Sequence, residues 1–119
     1  MAQRILTWRV NGIGETLGEV YYMERDYIPL HVRIYSRIAP VKGDLEVDIK
    51  DDGETIFGDY AILGQGENGT AMAEDFLTDI VLEEGSWVSL DIVDTGGANE
   101  FTVHLELESL TEDEELEDE

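Results

Sequence analysis

The sequence predicts an all-β protein: a single antiparallel β-sandwich, jelly-roll-like, of about seven to eight strands. Three observations predict it. Apolar and polar residues alternate with a period of two in several segments, which is the pattern of strands with one buried face. Short clusters rich in Gly, Asp and Asn separate these segments and indicate turns. The chain has 119 residues, 42% of them hydrophobic, which is enough for one packed core.

Four segments carry the alternation most clearly and are predicted as strands. Their apolar members are Ile28, Leu30, Val32 and Ile34; Leu45, Val47 and Ile49; Val88, Leu90 and Ile92; and Phe101, Val103, Leu105 and Leu107. A less regular strand is predicted around Ile5 to Val10, and shorter ones at 20–23 and 60–63. The segment 71–82 is ambiguous, because 73–76 fits one helical turn whereas 80–82 fits the end of a strand.

The turn residues fit an antiparallel arrangement. Asp52-Gly53 lies between Ile49 and Ile56 and predicts a β-hairpin, since type I′ turns favour Asp-Gly. Glycine-bearing turns are also predicted at 64–70, 83–85 and 94–99. Pro29 has no N–H group and therefore predicts a sheet edge or a strand start. No second hydrophobic pattern follows, so residues 1–110 are predicted as one domain, with 111–119 as an acidic, disordered tail.

The charge is far from balanced, with 29 Asp and Glu against 7 Lys and Arg and a net charge of -22. Nucleic-acid binding needs a basic footprint, so this composition argues against it, and docking on anionic lipid is disfavoured for the same reason. There is no cysteine, which excludes disulfides and thiolate chemistry. The sequence shows no apolar run long enough to span a membrane and no signal peptide.

The acidic tail accounts for about a third of this charge. It holds seven acids, so residues 1–110 keep 22 acids against 7 bases, a net charge of -15. Lysine occurs only at Lys42 and Lys50. A strongly acidic, lysine-poor surface is the kind that halophilic proteins use, because molar salt screens self-repulsion within about 3 Å. We therefore expect a protein adapted to high salt, whose tail either solvates the chain or docks on a basic partner.

No motif for catalysis, a cofactor or a metal stands out. The segment 48–59 fits a calcium loop poorly, because Lys50 occupies a ligand position. The glycines of 12–18 precede a predicted strand rather than the helix that a dinucleotide fingerprint needs. His31 and His104 fall on the polar phase of strands without a nucleophile elbow nearby in sequence. We expect no enzyme, no cofactor and no metal, and Asn68 begins a possible glycosylation sequon.

Aromatic and arginine side chains on the outward phase are the candidate interface. Trp87 and Tyr35 lie on the outward phase of strong strands, where they are either interface anchors or part of a second buried face. All five arginines lie in the first third of the chain and can pair with carboxylates across a subunit boundary. The candidate interface residues are Trp87, Tyr35, Arg33, Arg37 and Tyr22.

Part of the chain resembles a known family. Residues 40–50 read PVKGDLEVDIK, 52–57 read DGETIF, 82–96 read LEEGSWVSLDIVDTG and 101–107 read FTVHLEL. In this order they resemble a small β-sandwich domain of structural proteins of tailed viruses, either phages or haloarchaeal viruses. The resemblance implies a head fibre, capsid decoration or tail fibre module that is usually oligomeric. The chain departs from the family in its short length and its stronger acidity.

The expected function is therefore that of a non-enzymatic virion structural protein adapted to high salt. A capsid decoration or vertex protein, of turret or head-fibre type, is favoured, located on the outer surface of the capsid rather than the tail. Expected partners are copies of itself, as a homotrimer first and a homopentamer second, and the major capsid or other virion proteins. The alternatives are a tail fibre, baseplate or host-glycan-binding module, and an acidic DNA-mimic inhibitor.

Overall fold

The computed structural model describes residues 3–10, 19–68, 71–73 and 76–110, which form two antiparallel β-sheets packed as a sandwich. The described residues contain nine strands, where about seven to eight were expected, because several are only two or three residues long. The strands are β1 (Gln3–Val10), β2 (Tyr21–Tyr22), β3 (Tyr27–Ile38), β4 (Leu45–Asp51), β5 (Glu54–Thr55), β6 (Ala61–Leu63), β7 (Ala71–Ala73), β8 (Trp87–Asp94) and β9 (Asn99–Ser109). None of the described residues forms a helix that is long and apolar enough to cross a membrane.

The strand order is that of a jelly roll. Sheet 1 has the order β1-β9-β3-β7. Sheet 2 has the order β2-β8-β4, and β5 and β6 follow one another along the far side of β4. Apart from the β4–β5–β6 run, successive described strands always belong to different sheets, which is how a jelly roll interlocks its two Greek keys. The predicted fold class is therefore confirmed.

The core lies between the two sheets and consists of the alternating apolar residues. Sheet 1 contributes buried side chains from β1, β3 and β9, and sheet 2 from β4, β6 and β8. The main members are Leu6, Trp8, Val10, Val32, Ile34, Leu45, Val47, Ile49, Leu63, Val88, Leu90, Phe101, Val103, Leu105 and Leu107. The period of two predicted this set, because successive side chains of a strand point to opposite faces.

Strand β3 departs from strict alternation at its start. Its pairing with β9 shifts between Pro29 and His31, which marks a bulge. Tyr27 and Val32 are buried, whereas Ile28 and Leu30 are only half-buried, so the predicted phase holds only after the bulge. A bulge changes which side chains face the core. Among the described residues, Pro29 pairs with β9 on one side only, consistent with the predicted edge or strand-start position.

The segment before β8 differs from its prediction. Residues 80–82 were expected to end a strand, but Leu82 forms only an isolated bridge with Tyr27, in which each N–H donates to the other's carbonyl. The strand of this region is β7 instead. The possible helical turn at 73–76 lies partly outside the described residues. So do the glycine-rich loop 12–18, part of the 64–70 turn and the acidic segment 111–119.

Two turns depend on backbone geometry that favours glycine. At the predicted hairpin between β4 and β5, Asp52 and Gly53 have φ angles of 52° and 89°, as a type I′ turn requires. Between β8 and β9, Gly96 has a φ of 59°. A Cβ atom on Gly96 would lie 2.4 Å from the carbonyl oxygen of Gly43 and 2.7 Å from that of Asp44. The loop after β8 therefore packs directly against the backbone before β4.

Replacing Gly96 with alanine is expected to lower the free energy of unfolding by about 3 kcal/mol. Left-handed strain costs roughly 1–2 kcal/mol, and displacing the backbone of residues 43–44 costs a similar amount. Gly85 is the matched control, because its φ is 93° but its Cβ would meet nothing within 4 Å. Gly85→Ala is expected to cost only about 1 kcal/mol. Urea unfolding measures both variants, and equal losses would show that the contact with 43–44 has no energetic role.

Candidate interaction faces

The five predicted interface residues lie on opposite sides of the sandwich. Arg33, Tyr35 and Arg37 point outward from β3 in sheet 1, whereas Tyr22 and Trp87 belong to β2 and β8 of sheet 2. The side chain of Tyr35 is 52% exposed and that of Trp87 is 50% exposed, so neither belongs to a second buried face. The structure therefore presents two candidate interfaces rather than one.

We call the outer side of sheet 1 the arginine face. It is formed by the outward residues of three adjacent strands, namely Gln3, Ile5, Thr7 and Arg9 of β1, Glu100, Thr102, His104, Glu106 and Glu108 of β9, and His31, Arg33, Tyr35 and Arg37 of β3. The register aligns them in rows across the sheet, so that Thr7, His104 and Arg33 lie side by side. Three of the five arginines and both histidines are thus gathered on one face.

Polar contacts on the arginine face centre on Glu106. Its Oε2 lies 3.0 Å from Nε2 of His31 and 3.7 Å from Nε of Arg33. Both nitrogens are buried, and neither contact has the geometry of a hydrogen bond. Arg37 forms an ion pair with Glu100, 2.9 Å between Nη1 and Oε1. Arg9 is exposed and forms no ion pair with another described residue. This face therefore offers more donors than it satisfies internally.

A hydroxyl and an imidazole meet on the same face, which the sequence did not indicate. Oγ1 of Thr7 lies 3.1 Å from Nδ1 of His104, because the register places the two residues opposite each other. A catalytic triad also needs a third group that orients the base. Among the described residues, no carboxylate hydrogen-bonds to His104. The geometry is that of a sheet-face hydrogen bond.

We call the outer side of sheet 2 the tryptophan face. It is formed by the outward residues Tyr22 of β2, Trp87, Ser89 and Asp91 of β8, Glu46, Asp48 and Lys50 of β4, and Ile62 of β6. Tyr22 and Trp87 are direct cross-strand partners, and their rings meet edge-on with centroids 5.1 Å apart. The backbone N–H of Trp87 donates to Oδ1 of Asp52 in the neighbouring turn. The aromatic pair thus lies beside carboxylates.

The carboxylates of the tryptophan face crowd one another. Asp48 and Asp91 are directly opposite across β4 and β8, an arrangement that is destabilising for like charges. Lys50 offsets it, with Nζ 2.7 Å from Oδ2 of Asp91, and this hydrogen bond raises the pKa of Lys50. Asp48 is buried and accepts a hydrogen bond from the hydroxyl of Thr55. Asp48 therefore lies within a strand rather than in a calcium loop.

The end of β4 carries a further acidic group on the inward phase, Asp51 opposite the core residue Val88. Burial raises the pKa of the Asp51 carboxyl. A hydrogen bond from Ser86 opposes the rise, and the charges of Asp52, Glu83 and Glu54 add to it. Oδ1 of Asp51 is buried without a hydrogen-bond partner among the described residues. The described part of the chain has no group of three or more His, Asp or Glu side chains arranged to hold a metal ion.

Arg4 has an internal role that sequence reasoning missed. Its Nη1 donates to the carbonyl oxygen of Tyr22 at 3.0 Å and to Oε1 of Glu24 at 2.6 Å. Its guanidinium lies 5.9 Å from the ring centroids of Tyr21 and Tyr27. Burial alone raises the pKa of Glu24, but the Tyr27 hydroxyl and the charges of Arg4 and Arg25 outweigh it and lower that pKa. In the alternation of β1, Arg4 has the same phase as the buried residues Leu6 and Trp8. This phase was the signal in the sequence that could have predicted its inward position.

The Asn68 sequon is partly described. Nδ2 of Asn68 donates to the carbonyl oxygens of Ser36 and Arg37, at 3.0 Å each. A glycan attached to this nitrogen would replace at least one of these hydrogen bonds. The amide therefore has a structural role in holding the loop after β6 against the end of β3.

Comparison with known proteins identified no relative. No protein-family model, curated protein or solved structure matches the chain. The function is therefore inferred from the two faces and from the residues of the sequence. Fold alone does not decide it, since sandwiches of this kind carry many functions.

Proposed function

We propose that this protein is a non-enzymatic structural component of a tailed-virus particle, adapted to high salt. It functions as a capsid decoration or vertex protein on the outer surface of the particle. It self-associates, and a homotrimer is the favoured assembly, with a homopentamer as the alternative. Its other partners are capsid proteins. A tail fibre or baseplate position is the alternative within this class. The resemblance of residues 40–57 and 82–107 to such modules supports the location.

One observation carries the self-association. Large apolar side chains stand half-exposed on both outer faces, at Ile5 and Tyr35 on the arginine face and at Tyr22 and Trp87 on the tryptophan face. Tyr, Trp and Arg are the residues that most often dominate binding energy at protein interfaces. On both faces these side chains lie beside charged neighbours, Glu106 and Arg33 on the arginine face and Asp91 and Lys50 on the tryptophan face.

The location is tested on particles. An antibody raised against the purified chain is applied to virus particles banded from cultures of the host that carries the gene. Gold labels on the heads are expected, together with the protein in mass spectra of the banded particles. Particles from a strain with the gene deleted are the control. Labels confined to tails would support the tail fibre or baseplate position instead. Banded particles that lack the protein would overturn the proposal.

The aromatic pair of the tryptophan face favours a second candidate, binding of a host surface glycan. Sugars stack on exposed aromatic rings and donate hydroxyl hydrogens to carboxylates, and Trp87 lies beside Asp52. A glycan array is expected to give hits that disappear in Trp87→Ala but persist in Tyr35→Ala. An array without hits would remove this candidate. The DNA-mimic alternative is not favoured, because cations interrupt the carboxylates on both faces, at Arg33 and Arg37 on the arginine face and at Lys50 on the tryptophan face.

A further inference from the structure

We propose that the arginine face of one copy of this chain docks on the tryptophan face of the next copy. The inference rests on the proposed self-association and names the two surfaces that form it. The contact is heterologous, which means that each subunit uses a different face toward each neighbour. Three properties of the two faces support it: charge, hydrogen-bonding capacity and apolar anchors.

The two faces differ in charge. The arginine face gathers Arg9, Arg33 and Arg37 together with both histidines, and these balance its carboxylates at Glu100, Glu106 and Glu108. On the tryptophan face, Lys50 is the one cation among the described outward side chains, and it already pairs with Asp91. The other charged groups there are carboxylates. In a protein of net charge -22, most ways of bringing two copies together place acid against acid. The arginine face is the described surface that reduces this repulsion.

Hydrogen-bonding capacity is complementary. On the arginine face, buried nitrogens of His31 and Arg33 both approach one oxygen of Glu106, and neither has a hydrogen bond. A guanidinium carries five N–H donors, so Arg33 retains donors for a second carboxylate. On the tryptophan face, Glu46 and Asp91 present outward carboxylates, and Asp91 is exposed. Contact between the faces brings a surplus of donors to a surplus of acceptors.

Each face also provides apolar anchors near its charges. Ile5 and Tyr35 stand on either side of β9 on the arginine face, 56% and 52% exposed. The tryptophan face provides the Tyr22–Trp87 pair and Ile62. Burial of such side chains favours association at any ionic strength, whereas the ion pairs set the orientation and weaken as salt rises. The contact is therefore suited to molar salt.

The geometry constrains how subunits follow one another. The two faces lie on opposite sides of a sandwich, so successive copies stack face to face. Such a contact closes into a ring only if each copy is rotated relative to the last, and otherwise it extends as an open chain. In neither case does it form a two-fold dimer. This property separates the proposal from a symmetric contact of either face with itself.

Two variants that each disable one face provide the test. Arg33→Glu disables the arginine face, and Lys42→Glu is its control with the same change of charge in an exposed loop. Trp87→Ala disables the tryptophan face, and Leu77→Ala is its control at an exposed apolar position. Thermal unfolding first establishes that all four variants fold. Sedimentation in molar KCl then measures their assembly.

The wild type and both controls are expected to assemble. Each disabling variant alone is expected to stay monomeric, with an association constant lowered at least about tenfold. An equimolar mixture of Arg33→Glu and Trp87→Ala should form a 1:1 dimer and nothing larger, because each variant retains the face that the other lacks. This mixed dimer is the specific signature of a heterologous contact.

Other outcomes would overturn the proposal. If Trp87→Ala assembles like the wild type while Arg33→Glu does not, the arginine face binds itself, and the reverse result indicates a symmetric tryptophan face. If the mixture stays monomeric, the two faces do not meet. A wild type that is monomeric at high concentration removes both this contact and self-association. The capsid location would then still be decided by the particle-labelling experiment, which does not depend on assembly in solution.

Discussion

Replacing Trp8 with alanine is expected to lower the free energy of unfolding by about 4 kcal/mol, a large share of what a domain of this size has. Trp8 is only 2% exposed and lies between the two sheets. Its indole N–H donates to the carbonyl oxygen of Glu19 at 2.8 Å, and its ring meets Tyr21 edge-on at 5.4 Å. The substitution leaves a cavity and an unpaired carbonyl, and both costs add to the lost burial.

Trp87 provides the matched control, because the chain has two tryptophans and the same chemical change can be made at each. Trp87 is half-exposed, so Trp87→Ala is expected to cost about 1 kcal/mol or less. Guanidinium unfolding followed by circular dichroism measures both, with the midpoint as the readout. A Trp8→Ala midpoint equal to that of Trp87→Ala would show that the sheets do not pack around Trp8.

Raising KCl from low to molar concentration is expected to raise the melting temperature by about 10 °C, equivalent to roughly 2 kcal/mol for a domain of this size. The net charge of -22 repels itself, and each added increment of salt shortens the range of that repulsion, from about 30 Å at 0.01 M to about 3 Å at 1 M. The like-charge pair Asp48–Asp91 is a local example. Scanning calorimetry across a KCl series provides the measurement.

The chain that ends at Leu110 is the control for this salt dependence. Removal of 111–119 takes away seven acids but leaves a net charge of -15. Most of the temperature rise is therefore expected to remain, because the repulsion that opposes folding lies mainly within the sandwich. A melting temperature that is flat or falls with salt would contradict the proposed adaptation to high salt. If the truncated chain shows no rise in melting temperature with KCl, the salt dependence is caused by residues 111–119.

Much of the fold was predictable because a strand's alternation directly reports burial. The inward residues of β4 and β9, such as Val47 and Val103, were identified this way. Strand pairing was not, since alternation contains no information about neighbours. The loop 94–99 joins two strong strands and resembles a hairpin, yet β8 and β9 belong to different sheets. The bulge after Pro29 was also hidden, because the residues around it keep an apolar–polar order that the backbone does not follow.

The outward position of the candidate interface residues was predictable one residue at a time, but the surfaces that they form were not. The alternation of apolar and polar residues predicted that Tyr35 and Trp87 face outward, and both side chains are exposed. Their separation onto opposite faces depends on strand order, which only the topology reveals. The Glu106 cluster was hidden for the same reason, since it needs the register between β3 and β9. The internal role of Arg4 was not predicted, because a charged residue is usually assigned to the surface. Here its guanidinium lies over the rings of Tyr21 and Tyr27, which lets it occupy a position on the core phase.

Strand β9 follows all the other described strands along the chain, yet it lies in the middle of sheet 1 between β1 and β3. During synthesis, β1 and β3 therefore cannot pair with β9, the strand between them, until residue 109 has been translated. One layer of the sandwich cannot form before then, and such long-range pairing is slow, typically milliseconds to seconds. Unpaired strands with exposed apolar faces tend to aggregate in that interval. The acidic charge, by keeping unfinished chains apart, then protects the nascent protein as well as the folded one.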